Sequence, residues 1–201
     1  MRQGELFSAP MGAGPAEPEL PLLAPQLRNW QERVAAFQAP LFAPSPSGAQ
    51  AGGGGQAELF QLEAAAASTW DQTRINPLDL RPQTLTFWRW PQAPQQGAAL
   101  YFVVDRPPHL ATALLLYVGE TGRADRRWKG DHDCKGYLAA YGEALQRAAL
   151  EARLTIRFWL DAPPATKARR TLEQALIRRW QPPFNKETRA RWATPFQAEP
   201  A

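Results

Sequence analysis

The sequence predicts an α+β domain preceded by a largely disordered N-terminal tail. Two observations carry this reading. Short apolar runs alternate with helical patterns after residue 97, and the first sixty-odd residues consist of material that cannot form a core. Residues 9–25 are Pro-rich, Pro44-Ser45-Pro46-Ser47-Gly48 follows, and residues 52–55 are four glycines. Such segments bury too little apolar surface to offset their ordering entropy. With 201 residues, 44% of them hydrophobic, the chain has room for one globular domain and this tail.

Taken in order, residues 1–65 form the tail, interrupted by a short helix near 26–37. Pro25 suits the first turn of that helix, and Leu27, Trp30, Val34 and Phe37 recur at near-helical spacing. Residues 66–96 read as an arm packed on the domain. It contains the extended stretch Asn76-Pro77-Leu78-Asp79-Leu80-Arg81-Pro82, then the alternating segment Leu85-Thr86-Phe87-Trp88-Arg89-Trp90, whose Trp88 and Trp90 share a face. The domain itself spans 97–190, and 191–201 form a short C-terminal tail. Strands are expected at 100–104, 113–118 and 154–160, the last exposing Thr155, Arg157 and Trp159 on one side. Helices are expected at 138–152 and at 166–180, the second bounded by Pro163-Pro164 and Pro182-Pro183. Leu172, Ala175, Leu176 and Ile177 would pack on the sheet, leaving Arg169, Arg170, Arg178 and Arg179 solvated.

Charge is uneven along the chain. Residues 1–119 hold 7 Lys/Arg against 9 Asp/Glu, whereas 120–201 hold 16 against 10, so the net +4 arises from the second part. A basic half suits a polyanion-binding surface. The single Cys134 excludes an intramolecular disulfide, and the absence of a signal-peptide pattern or a membrane-length apolar run points to a cytoplasmic protein with no membrane partner.

Candidate chemistry concentrates in a few polar positions. Tyr101 lies in Leu100-Tyr101-Phe102-Val103-Val104, and Tyr117-Val118-Gly119 ends a second apolar run. Gly119 is expected to let the chain leave that strand at a φ/ψ that other residues resist. Arg127 stands eight residues beyond Gly119; Glu173 follows in Leu172-Glu173-Gln174-Ala175-Leu176-Ile177, and Asn185 in Gln181-Pro182-Pro183-Phe184-Asn185. This arrangement resembles the GIY-YIG nuclease family over residues 97–190. Ala99-Leu100-Tyr101 stands as a degenerate first element, and Tyr117-Val118-Gly119 as a conservative second one. The resemblance implies a central three-stranded, mainly antiparallel sheet flanked by helices, and an endonuclease that hydrolyses DNA phosphodiester bonds. It implies Mg2+ (or Mn2+) as cofactor, with Glu173 as the metal ligand. Arg127 would neutralise the phosphate, Tyr101 or Tyr117 would orient or deprotonate the attacking water, and Asn185 would support the site through the backbone or Tyr101. Many members carry a histidine four residues beyond the arginine; here that place is Asp131, and His132, which comes fifth, is a candidate partner for the nucleophile. Adjacent residues in Asp131-His132-Asp133-Cys134 point in different directions, which argues against structural zinc.

Arg123, Arg126, Lys129 and Lys135 are candidate nucleic-acid contacts in the basic half. With no helix-turn-helix or zinc-finger pattern beside them, cutting guided by DNA structure is expected, in repair, recombination or replication. The alternative is a nucleic-acid-binding or adaptor protein that keeps the fold without cleaving. The N-terminal region also repeats Gln-x-x-Leu-Phe three times: Gln3-Gly4-Glu5-Leu6-Phe7, Gln38-Ala39-Pro40-Leu41-Phe42 and Gln56-Ala57-Glu58-Leu59-Phe60. This pentapeptide resembles the motif by which bacterial partners bind the replication sliding clamp, so a clamp is a candidate partner, with Phe7, Phe42 and Phe60 as anchors.

Overall fold

A computed structural model describes residues 23–43, 75–86, 96–127 and 133–196. Their order is α1 (Ala24–Phe42), a 3-10 turn (Pro77–Asp79), β1 (Ala99–Asp105), β2 (Leu114–Thr121), the single turn α2 (Ala124–Arg127), α3 (Asp133–Arg147), β3 (Thr155–Trp159), α4 (Thr166–Trp180) and the turn α5 (Arg189–Trp192). The fold is α+β. Its three strands form one antiparallel sheet in the order β2-β1-β3, with β1 pairing on both sides. β1 is buried along its whole length, as its unbroken apolar run requires of a central strand.

The sheet has a core on each face. Tyr101, Val103, Leu116, Ile156 and Phe158 pack with α1 and α3 residues on one face. Leu100, Phe102, Val104, Leu115 and Val118 meet Leu172, Leu176, Ile177 and Trp180 of α4 on the other. Pairing shifts by one residue between Val103 and Val104. That bulge places Leu116 and Tyr117, neighbours in sequence, against the same core.

Helix α1 is longer than the 26–37 expected and belongs to the core rather than to a tail. Leu27, Trp30 and Val34 are buried, and the Trp30 ring lies 5.8 Å from Tyr141, 6.3 Å from Phe184 and 5.6 Å from Phe196. The helix starts as its proline suggested, with the Gln26 side chain accepting from Leu23 N at 3.0 Å. Two glutamines share its buried stripe. Gln38 donates through Nε2 to the carbonyls of Leu115 (2.9 Å) and Trp180 (3.0 Å), and its Oε1 accepts from Leu115 N (2.8 Å). Phe42 packs on Trp180 at 4.6 Å. The 38–42 copy of the Leu-Phe motif is therefore built into the domain, which corrects its reading as a free recruitment peptide; the copies at 3–7 and 56–60 lie outside the described residues. Gln38→Ala would strand buried backbone groups of an edge strand, and a loss of about 2–3 kcal/mol is expected in urea denaturation. An unchanged midpoint would show the bonds to be dispensable.

Two arginines expected at the surface are buried instead. Arg157 donates to the carbonyls of Pro77 (3.2 Å), Leu78 (2.7 Å) and Leu80 (2.8 Å), binding the arm to β3 beside a two-bond bridge between Gln83 and Ile156. Arg169 pairs with Glu120 at 2.6 Å and donates to the carbonyls of Pro163 and Pro164, each at 3.0 Å. In both cases convergent carbonyls replace the water that a guanidinium otherwise needs. The remaining segment of the arm, with Trp88 and Trp90, lies outside the described residues.

Asp105 closes β1 in full burial. It accepts from the Tyr141 hydroxyl and from Arg153 N, each at 2.7 Å, while Gln31 Nε2 donates to Tyr141 at 2.6 Å. Burial outweighs these bonds and holds the carboxyl above its ordinary range. Because the folded protein binds this proton more tightly than the unfolded chain, Asp105 makes stability fall as pH rises from the ordinary carboxylate value through the raised one. Asp105→Asn is expected to remove that contribution, seen as a difference between the two proteins' pH–stability curves in the mildly acid range. Parallel curves would refute it.

Candidate active site

The two tyrosines meet on one face of the sheet because of register. Tyr101 stands opposite Gly119, and Val103 opposite Tyr117, so the tyrosines are diagonal neighbours. Their rings stack at 5.9 Å with 27° between planes, and their hydroxyls are linked by a hydrogen bond. Tyr101 is wholly buried, whereas Tyr117 keeps part of its surface open. Of the two candidates for contact with attacking water, Tyr117 is the one with access.

Gly119 makes the stack possible, though by another route than expected. It has no positive φ. A Cβ there would fall on the Cζ and hydroxyl of Tyr101 and 2.8 Å from its Cε1. Glycine is required because the Tyr101 ring lies directly over the backbone of β2.

Burial pushes the Tyr117 hydroxyl well above the ordinary phenol range, with Tyr101, Cys134 and Glu173 adding to the effect. Glu173 thus acts electrostatically on Tyr117 from α4, and Cys134, buried in the first turn of α3, acts from the other side. Burial leaves Tyr117 a neutral hydroxyl at neutral pH, suited to orienting water by hydrogen bonding. To act as a base it needs an adjacent positive charge.

Asn185 supports this arrangement through the backbone. Its Oδ1 accepts from Val118 N at 2.9 Å and its Nδ2 donates to Val118 O at 2.8 Å. The αL conformation of Gln181 ends α4, and the turn through Pro182-Pro183 returns the chain to β2, where Phe184 N also donates to Leu116 O at 3.0 Å. Asn185 and Phe184 act on one stretch of β2 as Gln38 does on another, so polar groups from two segments occupy its free side. The residues missed in the sequence are the positioning pair Glu120 and Arg169. Glu120 follows the Tyr-Val-Gly element directly and Arg169 lies one turn before Glu173, so this 2.6 Å ion pair ties α4 to β2 beside the tyrosines.

The structure therefore brings Tyr101, Tyr117 and Glu173 into one electrostatic neighbourhood, with Asn185 behind them. Arg127 ends the turn α2 that follows β2. The side chains of Arg126 and Arg127, and the whole of Lys129 and His132, lie outside the described residues. Arg123 is exposed at the end of β2 and Lys135 half-buried in the first turn of α3. Among the described residues, no group of three or more His, Cys, Asp or Glu could hold a metal ion, and no helix is long and apolar enough to cross a membrane. A lone half-buried carboxylate such as Glu173 still fits magnesium, which keeps most of its waters and takes few protein oxygens. No family model matches the chain, and no curated protein or solved structure matches it.

Proposed function

We propose that this chain is a metal-dependent endonuclease of the GIY-YIG type, hydrolysing DNA phosphodiester bonds. The observation supporting this most directly is the stacked pair Tyr101–Tyr117 over a glycine backbone, with Glu173 electrostatically coupled to the partly open tyrosine. Tyr117 orients a water for attack on phosphorus, and Tyr101 holds Tyr117 in place from the core. Glu173 is the residue that would hold Mg2+ or Mn2+, which when bound polarises the phosphate and stabilises the leaving oxygen. Arg127 supplies positive charge to the phosphate and lowers the barrier to removing the water's proton. Water's oxygen bonds to phosphorus and its proton passes through the Tyr117 hydroxyl to solvent, one P–O ester bond breaks, and the departing oxygen takes up a proton from solvent. Asn185, Glu120 and Arg169 are positioning residues.

Cutting guided by DNA shape fits a basic chain whose sequence carries no base-reading module. Recruitment to a bacterial sliding clamp would rest on the copies at 3–7 and 56–60, since Gln38 and Phe42 are occupied inside the domain. The test is incubation of the purified chain with labelled flaps, forks, nicked duplexes and supercoiled plasmid, with Mg2+ or Mn2+ or with chelator. Metal-dependent strand scission is expected. Binding without scission on every substrate would favour the adaptor alternative.

A further inference from the structure

Helix α4 carries a feature that the site chemistry does not use. Thr166, Lys167, Arg170, Thr171, Gln174 and Arg178 line a shallow groove on its outer face. Positions 167, 170, 174 and 178 recur at helical spacing, so three cations and an amide form one stripe. Lys167, Arg170 and Arg178 are exposed; Arg170 also lies 3.4 Å from Glu120 while its own side chain remains 69% exposed. One position earlier, Arg169 is buried and paired with the same Glu120 at 2.6 Å. The two adjacent arginines have thus been sorted, one to tie α4 to the sheet and one to face solvent.

We propose that this outer groove of α4 binds the phosphate backbone of the DNA strand that enters the site. This rests on the nuclease reading above and adds to it a binding surface distinct from Arg123, Arg126, Lys129 and Lys135. The stripe from 167 to 178 runs about 17 Å at the helical rise, a length over which one duplex strand carries about five phosphates. Thr171 donates to Lys167 O at 3.0 Å and Gln174 Nε2 gives one N–H to Glu187 Oε1 at 2.8 Å, so the Thr166 hydroxyl and the second Gln174 N–H are the neutral donors left for phosphate oxygens, and they carry no base code. Glu173 follows Arg170 by three residues, so a strand lying along the stripe is delivered to the carboxylate from its own helix. An acidic peptide would meet the same charge but has no reason to run alongside Glu173.

The test compares two full-length double variants with the parent for binding of a labelled duplex in chelator, across a salt series. Lys167→Ala with Arg178→Ala is expected to weaken binding tenfold or more at low salt. It should also reduce the magnitude of the slope of log affinity against log salt by about 2, as loss of two phosphate contacts requires. Arg28→Ala with Arg81→Ala removes the same charge from exposed positions elsewhere and should leave the slope nearly unchanged. Equal slope losses in the two double variants, or none in the α4 variant, would overturn the proposal even if the parent cuts DNA. A parent that cuts nothing while the α4 variant alone loses slope would uphold the surface and overturn the nuclease reading. Thermal melts matching the parent's establish that the variants are folded.

Discussion

Glu173→Ala is expected to abolish metal-dependent cleavage while leaving the fold and DNA affinity nearly intact. Glu173 is half-buried on α4, and among the described residues no cluster of other acids could take over as a metal site. Removing it forfeits several kcal/mol of transition-state stabilisation, on the order of a thousandfold in rate or more. Single-turnover cleavage, with duplex binding in chelator and thermal melting as controls, checks this. Unchanged metal-dependent cutting would remove Glu173 from the site.

Gly119→Ala should damage both the fold and the activity. The added methyl meets the Tyr101 ring, which is buried on every side and has no open space to enter. Overpacking of this kind costs about 3 kcal/mol at the upper end of its usual range. Because Tyr101 stacks on Tyr117, displacement of one ring moves the other, and an ångström of misplacement at a reacting group costs about a hundredfold in rate. Trimming Tyr101 to leucine in the same chain should recover much of the stability and none of the activity. Urea denaturation and cleavage of the single and double variants separate the two losses. A Gly119→Ala protein of normal stability and rate would mean that the stack is loose.

Much of this architecture was readable from local pattern. The runs around residues 100–104 and 113–118 announced β1 and β2 because a buried strand leaves no polar alternation to confuse the reading. Prolines on both sides marked α4 to the residue. Helix α3 was expected from Leu138, but it begins at Asp133, since its polar first turn carries little apolar signal apart from buried Cys134. What stayed hidden were polar groups satisfied at long range. Arg157 looks like a surface residue by composition, and nothing near it in sequence announces that the carbonyls of Pro77, Leu78 and Leu80 converge on it. Arg169 follows Pro163 and Pro164, whose carbonyls it meets, closely, but its partner Glu120 stands 49 residues earlier. Gln38 did leave a trace. Positions 27, 31, 34 and 38 fall on one helical stripe, and glutamines at two of them could have been read as buried donors. Near the tyrosines, the structure shows the Tyr101–Tyr117 stack and the Asn185 bonds to Val118. The reason for Gly119 was misread, because close approach of a ring from a neighbouring strand is a tertiary fact.

The amides along β2 also define what can be inherited as a unit. Gln38 sits 77 residues before the strand whose backbone it satisfies, and Asn185 sits 67 residues after. A gene fragment encoding only the segment from 97 to 190 would leave Leu115 without its partner, presenting part of an apolar edge to the next molecule. Such a fragment would be recruited into strand exchange or aggregation. Shuffling of this domain among proteins must therefore carry the N-terminal helix with it.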